Sequence, residues 1–342
     1  MARERVTIRD VARYAGVSYA TVSRVLNNKG EVREKTRLAV LQAVAELNYT
    51  PNPIARSLAT NRTAMIGFVV SDITNPFLAD VARGIQRVAD SQGYSVTICV
   101  TENDPEREMR AIRFMADRRA DGLIVTPPES EASDELILAH AERALPFVLI
   151  GRQMTHDKVA RVSTSTTSGA YRATGYLLNL GHRRIAHIQA SPRMGYGRGK
   201  LRGYSQALQE QGIKVDPQLV VASDYSVDSG QRAAERLLSL DRSPTAIFAT
   251  NDLTAIGALA AAEAAGVQVP RDLSVVGFDD IIFARSTRPP LTTVSQPALR
   301  LGEVAAEKLL HMVQGEAVAK ETILECSLIV RESTAPPRVR SS

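Results

Sequence analysis

From Met65 onward the chain alternates short apolar runs with amphipathic helical stretches, and few architectures can absorb that alternation. The runs are A-M-I-G-F-V-V, Y-S-V-T-I-C-V, D-G-L-I-V-T, P-F-V-L-I, R-I-A-H-I, Q-L-V-V-A, T-A-I-F-A-T and L-S-V-V-G-F. Helical stretches such as Phe77–Gln92 and Asp252–Gly266 lie between them. Strands that alternate with helices build parallel sheets covered on both faces. So many strands in this order exceed one compact sheet, which predicts two similar α/β lobes exchanging chain near residues 160 and 290. No repeat of solenoid period interrupts the pattern.

Charge divides the chain differently. Residues 1–62 carry 11 Lys and Arg against 5 Asp and Glu, whereas the rest carries 31 against 32. A basic head joined to a neutral body points to a polyanion-binding module. The head also has helical order, which a merely solvated basic arm lacks. Thr7 and Asp10 bracket a capping arrangement, with Ile8, Val11, Ala12 and Ala15 on one face of the helix that follows. Gly16 stops that helix and Ser18 caps the next, Y-A-T-V-S-R-V-L-N-N, whose inward positions are Val22, Val25 and Leu26. A third helix, about Glu34 to Asn48, brings Val40, Val44 and Leu47 over the first two. Two short helices joined by a glycine turn form a helix-turn-helix.

In such a unit the second helix enters the major groove N-terminus first. Tyr19 and Ala20 then lie deepest, and Arg24 reaches guanine O6 and N7. Thr7, Ser18, Thr21, Ser23 and Asn27 suit the helix ends and phosphates, which position without specifying. A protein-binding three-helix bundle is the rival reading, disfavoured by the positive balance on this helix and its flanks.

The run T-I-R-D-V-A-R-Y-A-G-V-S-Y-A-T-V-S-R-V-L-N, followed by L-N-Y-T-P-N and A-R-S-L, resembles the lac repressor (LacI/GalR) family of transcription regulators. The likeness runs through nearly the whole chain. It implies an all-α helix-turn-helix head at 1–51, a hinge helix at 52–62 and a two-lobed domain at 63–335 of the type I periplasmic-binding-protein-like fold, with a tail at 336–342. One lobe is expected over 63–161 and 292–330, the other over 162–291. The resemblance also carries a minor-groove role onto Ala55 and Leu58. A helix of under a dozen residues does not hold alone in water, so N-P-I-A-R-S-L-A-T-N-R is expected to fold only on DNA, with Leu58 as a wedge between base steps. A plain interdomain linker is the alternative.

Ligands of doubly wound sheets sit beyond the carboxyl ends of the strands. Those ends offer Asn75, Phe77, Arg152, Tyr225, Asn251 and Asp279. Aromatic faces with planar amide, carboxylate and guanidinium groups suit sugar rings and hydroxyls. Asp252, opening a helix, reads as structural. The stretch S-P-R-M-G-Y-G-R-G-K-L-R-G-Y fails phosphate-loop spacing at Met194 and Leu201. The family usually has an effector-anchoring arginine where Lys200 stands here, so Lys200 or nearby Arg198 is expected to take that role, with Met194 and Tyr196 on the same loop. A second departure is T-S-T at 164–166, where relatives often read T-D-N, and a third is Arg33, where a small hydroxyl residue commonly caps the third helix.

The effector is expected to be a neutral sugar, because Asp279 opposes an anion; a phosphorylated or acidic sugar is the alternative, with cations at Arg193, Arg198 and Lys200. No nucleophile–base pair, zinc spacing or paired-carboxylate motif emerges, so neither an enzyme nor a cofactor or metal is expected. His182 reads as loop-structuring. Cys99 and Cys326, both in strand-like runs, read as free thiols of a reducing cytosol. No apolar run spans a membrane, and the opening residues lack a signal-peptide core, against an exported solute-binding protein. The expected partners are a second copy, a near-palindromic operator in double-stranded DNA and the small effector. The tail S-T-A-P-P-R-V-R-S-S has no leucine heptads, which favours a dimer over a coiled-coil tetramer.

Overall fold

The computed structural model describes residues 6–26, 31–49, 62–126, 131–152, 154, 156–190 and 197–338. They fall into two compact units, divided between Thr63 and Ala64. The first holds α1 (Ile8–Tyr14), α2 (Tyr19–Leu26) and α3 (Glu34–Glu46). Its core is Val11, Ala12, Val22, Val25, Val40 and Ala43, with Val44 and Leu47 packed at the edge. Gly16, at φ +66°, makes the turn between α1 and α2. Arg33 stands at the N-cap of α3 and provides no side-chain cap, so the departure from the family's hydroxyl leaves that helix end uncapped.

The second unit contains two six-stranded sheets. The first sheet holds β1 (Met65–Val70), β2 (Ser95–Val100), β3 (Gly122–Val125), β4 (Phe147–Ile150), β5 (Val159–Thr164) and β11 (Glu321–Leu324), in the order β11-β5-β4-β3-β1-β2 and all parallel. Two helices on each face cover it: α4 (Pro76–Ser91) and α11 (Ala298–Gln314) on one, α5 (Pro105–Asp117) and α6 (Glu131–Glu142) on the other. Strand residues therefore bury both ways: Ile66, Phe68 and Val70 face α4 and α11, while Val69 faces α5. Where α4 crosses α11 only glycine fits. A Cβ on Gly84 would lie 2.1 Å from the Leu299 carbonyl oxygen, and one on Gly302 2.0 Å from that of Val81.

The second sheet repeats the plan with β6 (Ile185–Ala190), β7 (Val220–Ser223), β8 (Ala246–Ala249), β9 (Ser274–Asp279), β10 (Thr292–Ser295) and β12 (Ser327–Ile329), ordered β12-β10-β9-β8-β6-β7. Only β12 runs antiparallel. Its helices are α7 (Thr166–Asn179) and α8 (Arg198–Glu210) on one face, α9 (Val227–Leu238) and α10 (Asp252–Ala264) on the other.

The chain changes lobes three times: at Ser165 between β5 and α7, at Gln296–Pro297 between β10 and α11, and at Glu325–Cys326 between β11 and β12. This corrects the expected division. Thr292–Ser295 and Ser327–Ile329 belong to the second lobe, because β10 pairs with β9 and β12 with β10. Cys326 lies in a crossover, not in a strand; it and Cys99 are free thiols. No helix among the described residues is long and apolar enough to cross a membrane.

Candidate functional site

On the head, Val22 and Val25 of α2 are buried while Tyr19, Ala20 and Arg24 are exposed, Tyr19 by 54%. Ser18 caps the helix by accepting from the Thr21 amide at 3.1 Å, and the two hydroxyls lie 2.9 Å apart. Thr7 donates from its amide and its hydroxyl to Asp10, at 2.9 and 2.6 Å. Ser23 is half-buried. The helix ends are thus locked by local hydrogen bonds, and the outward face of α2 stays free of the core. Asn27, Ala55 and Leu58 lie outside the described residues.

In the larger unit both sheets place a first strand between the second and the third, so the chain order reverses there. The crevice beyond those carboxyl ends is where ligands of such sheets bind. A cavity of about 460 Å³ lies between the lobes, bordered by Phe77 and Ala298 of the first, Asp279 and Ile281 of the second, Gln296–Pro297 of the crossover, and the charged Asp80, Arg87, Asp280, Arg300 and Glu303. Two sequence-predicted residues, Phe77 and Asp279, thus meet at one cavity although they come from different lobes.

Asn75 caps α4, its Oδ1 accepting from the Phe77 amide at 3.0 Å. This fixes the aromatic ring's entry into the crevice, where Phe77 packs against the first lobe's core. Asn251 does the same for α10: Oδ1 accepts from the Thr254 amide at 2.9 Å, and Nδ2 donates to the Tyr225 carbonyl at 3.1 Å. That second bond restrains Tyr225, whose φ of +72° is unfavourable for a side-chain-bearing residue. Asp279 also has positive φ, +109°. Such strain persists only where its surroundings hold it, and it clusters at functional sites.

Asp279 is 6% exposed, and its Oδ1 accepts from Gln296 Nε2 at 2.5 Å. Burial pushes its carboxyl up to about 6, with the Lys200 ammonium and the Gln296 bond pulling the other way. The Gln296 Oε1 accepts in turn from the Thr164 hydroxyl. Gln296 therefore ties the strand end that carries Asp279 to the first crossover. Ser165, at the family's aspartate position, accepts from the Cys326 amide at 3.0 Å and donates to Glu325 at 2.9 Å. Ser165 thus links the first crossover to the third. Sequence reasoning missed Gln296; its signal is a polar residue directly before a proline, visible only once β10 is recognised as a strand. Asp252 is fully buried, accepting from the Ile281 amide at 2.8 Å and the Thr293 hydroxyl at 2.5 Å, a structural part as expected.

Arg152 is corrected. Its side chain is fully buried and turned into the first lobe. Nη1 reaches Glu108 at 2.8 Å, Nη2 reaches Ser133 at 2.6 Å and Nε reaches Asp134 at 2.9 Å. Carboxylates of α5 and α6 consume the guanidinium, and none of it is left for a ligand. Arg198 stands exposed at the start of α8, while Lys200 is buried. Met194 and Tyr196, with Arg193, lie outside the described residues.

His182 and His187 are structural. His182 bonds Thr245 through Nδ1 at 2.9 Å and the Ala335 carbonyl through Nε2 at 2.9 Å, holding the C-terminal segment. His187 is buried between Tyr204 and Phe248, with Nδ1 on the Phe248 carbonyl at 2.9 Å and, among the described residues, no hydrogen-bond partner at Nε2. Burial lowers its pKa from 6.5 to about 4. The folded lobe holds it neutral, so its contribution to stability is full above pH 6.5 and is lost as pH falls through 4. That amounts to roughly 3 kcal/mol. Asp279 acts in the opposite sense, its contribution being present below its unfolded value of 3.8 and lost as pH rises through about 6. Urea midpoints followed by circular dichroism from pH 7 to pH 4 should fall more steeply for the natural chain than for His187→Leu. Equal slopes would show that the buried imidazole does not set the acid limb.

Comparison with known proteins agrees with this fold. The family model described as bacterial regulatory proteins, lacI family, matches residues 7–52, and that of a periplasmic binding protein-like domain matches residues 174–334. The HTH-type transcriptional regulator DegA of Bacillus subtilis is 38% identical over 334 residues, 97% of this chain and 99% of DegA. Among solved structures, the lac repressor dimer bound to operator and the anti-inducer ONPF is 32% identical with a TM-score of 0.85, covering 97% of this chain and 100% of that one. The transcriptional regulator CelR–cellobiose complex is 33% identical with a TM-score of 0.73, covering 96% and 100%.

Proposed function

The chain belongs to the lacI family of bacterial regulatory proteins, and on that premise we propose that it represses carbohydrate-utilisation genes by binding a near-palindromic operator as a dimer, under the control of a neutral sugar held between its lobes. The observation that carries the effector reading is the meeting of Phe77, Asp279 and Gln296 at one interlobe cavity. An apolar ring on one lobe suits the C–H face of a sugar, and a buried carboxylate on the other accepts its hydroxyls.

Asp279 has Oδ1 committed to Gln296, which leaves Oδ2 for a ligand hydroxyl. A sugar bridging Phe77 and Asp279 favours one closure of the lobes over another and shifts the population by its difference in affinity. Gln296 sits where that change is felt, because it is bonded both to Asp279 and to Thr164 in the first crossover. Closure alters the spacing of the two heads of a dimer and with it the affinity for DNA. Tyr19, Ala20 and Arg24 read the major groove, and Ala55 and Leu58 act in the minor groove. The protein works in the cytoplasm as a regulator, without catalysis.

Thermal denaturation against a panel of neutral mono- and disaccharides and sugar phosphates tests the effector class. A cognate neutral sugar at a hundred times its Kd should stabilise the chain by about 2.7 kcal/mol. Stabilisation by sugar phosphates alone would replace this reading with an anionic effector held near Arg198.

A further inference from the structure

Asp279, Asp280 and Ile281 stand in a row on the wall of the interlobe cavity, and the backbone that presents them is strained. Asp279 has φ +109° and Asp280 φ +60°, in the left-handed region that residues with side chains avoid. Glycine would adopt either conformation at no steric cost, yet both positions carry a carboxylate. Each carboxylate is used: Asp279 accepts from Gln296, and Asp280 accepts from Arg331 Nη2 at 2.6 Å. Two strained residues in succession persist only where their surroundings over-determine them.

The restraint comes from Asp252, the first residue of α10, which has no exposed surface. Its Oδ2 accepts at 2.8 Å from the amide of Ile281, the residue directly after the strained pair, and its Oδ1 accepts from the Thr293 hydroxyl at 2.5 Å. Thr293 of β10 lies opposite Gly277 of β9, two residues before Asp279. Gly277 makes the room: a Cβ there would lie 2.1 Å from Asp252 Oδ1. A carboxylate that merely caps a helix bonds that helix's own amides. The cap of α10 is Asn251, and both oxygens of Asp252 leave the helix for other elements. Asn251 does parallel work one residue earlier, donating to the carbonyl of Tyr225, itself at φ +72°.

We infer that Asp252 is a positioning residue: it clamps the Asp279–Ile281 turn in its strained form and so aims the Asp279 carboxylate into the cavity. Thr293 completes the clamp as a donor, and Gly277 completes it as space. That a sugar hydroxyl meets the aimed carboxylate rests on the carbohydrate reading above; the clamp itself does not.

Crystal structures without effector read the clamp directly. Asp279 and Asp280 should keep positive φ in the natural chain and in Asp252→Asn, whose amide oxygen still accepts from Ile281. In Asp252→Ala the turn should relax, with Asp279 or Asp280 at negative φ and the Asp279–Gln296 bond broken. Asp252→Ser, too short to reach Ile281, serves the same comparison if the alanine variant does not fold. Gly277→Ala should give the same relaxed turn with Asp252 unchanged, because the added methyl displaces the carboxylate. Calorimetric titration with the neutral mono- and disaccharides of the thermal panel reads the consequence for the site. Asp252→Ala should lose affinity by about tenfold or more, and Asp252→Asn should recover most of it. An unmoved turn in Asp252→Ala or Asp252→Ser would overturn the proposal, as would a relaxed turn that binds sugar as tightly as the natural chain. A turn that relaxes in a protein that binds no sugar of the panel would leave the clamp standing and remove the carbohydrate reading instead.

Discussion

Arg152→Ala is expected to destabilise the first lobe by about 3–5 kcal/mol, the cost of leaving a buried charge without its partner. The guanidinium has no exposed surface, and neither does the Glu108 side chain that it meets. Burial pushes the Glu108 carboxyl up, and Arg152 is the first influence that opposes this. Among the described residues one carboxylate oxygen of Glu108 already lacks a hydrogen-bond partner, so removing Arg152 takes away the chief influence that opposes the burial of its charge. Ser133 and Asp134 of α6 lose their link to β4 in the same step. Chemical denaturation should therefore show a large fall in midpoint. Arg152→Met combined with Glu108→Leu should recover most of it, because apolar residues of similar volume can replace a buried ion pair. Had Arg152 been an effector ligand, Arg152→Ala would weaken sugar binding and leave stability intact. That outcome would reverse the correction made above.

Leu58→Ala is expected to keep sugar binding while lowering operator affinity on the order of a hundredfold, about 2.7 kcal/mol. The segment 52–61 lies outside the described residues, so this expectation rests on the family resemblance and on the physics of short helices. On that expectation two copies brought together on DNA would support each other, and each leucine would unstack a base step at the operator centre. Ala59 stands where some relatives have lysine, so less hydrogen bonding is available nearby and more of the affinity falls to the wedge. Gel-shift titration of the variant with its operator is the check. Affinity equal to the parent's would make this stretch a tether.

The head was legible in the sequence because its signals are local. Gly16 and Ser18 lie within a few residues of the helix ends they set, and the Val11, Val22 and Val40 core follows helical spacing. The eight apolar runs announced most of the two sheets for the same reason. What escaped were V-A-R-V-S-T, T-T-V-S, E-T-I-L and S-L-I, strands that are short or rich in hydroxyls and charges. All four flank a lobe crossover, so missing them misplaced the boundaries. Arg152 was misread because its partners lie 18, 19 and 44 residues away, and no local pattern marks a buried ion cluster. Lys200 could be placed from the resemblance, but its bond to the Thr250 carbonyl and its seat on the Phe278 ring come from strands far off in sequence.

Incubating the purified chain with random duplex DNA at about 0.15 M salt, then sequencing what it retains, probes the regulatory reading most directly. One near-palindromic sequence should be enriched, with half-sites spaced for two recognition helices. A neutral sugar that stabilises the chain should change affinity for that sequence by tenfold or more, while leaving salt-dependent non-specific binding much as it was. Enrichment of no sequence, or an operator whose affinity no cleft ligand alters, would contradict a DNA-binding regulator governed from the cleft between its lobes.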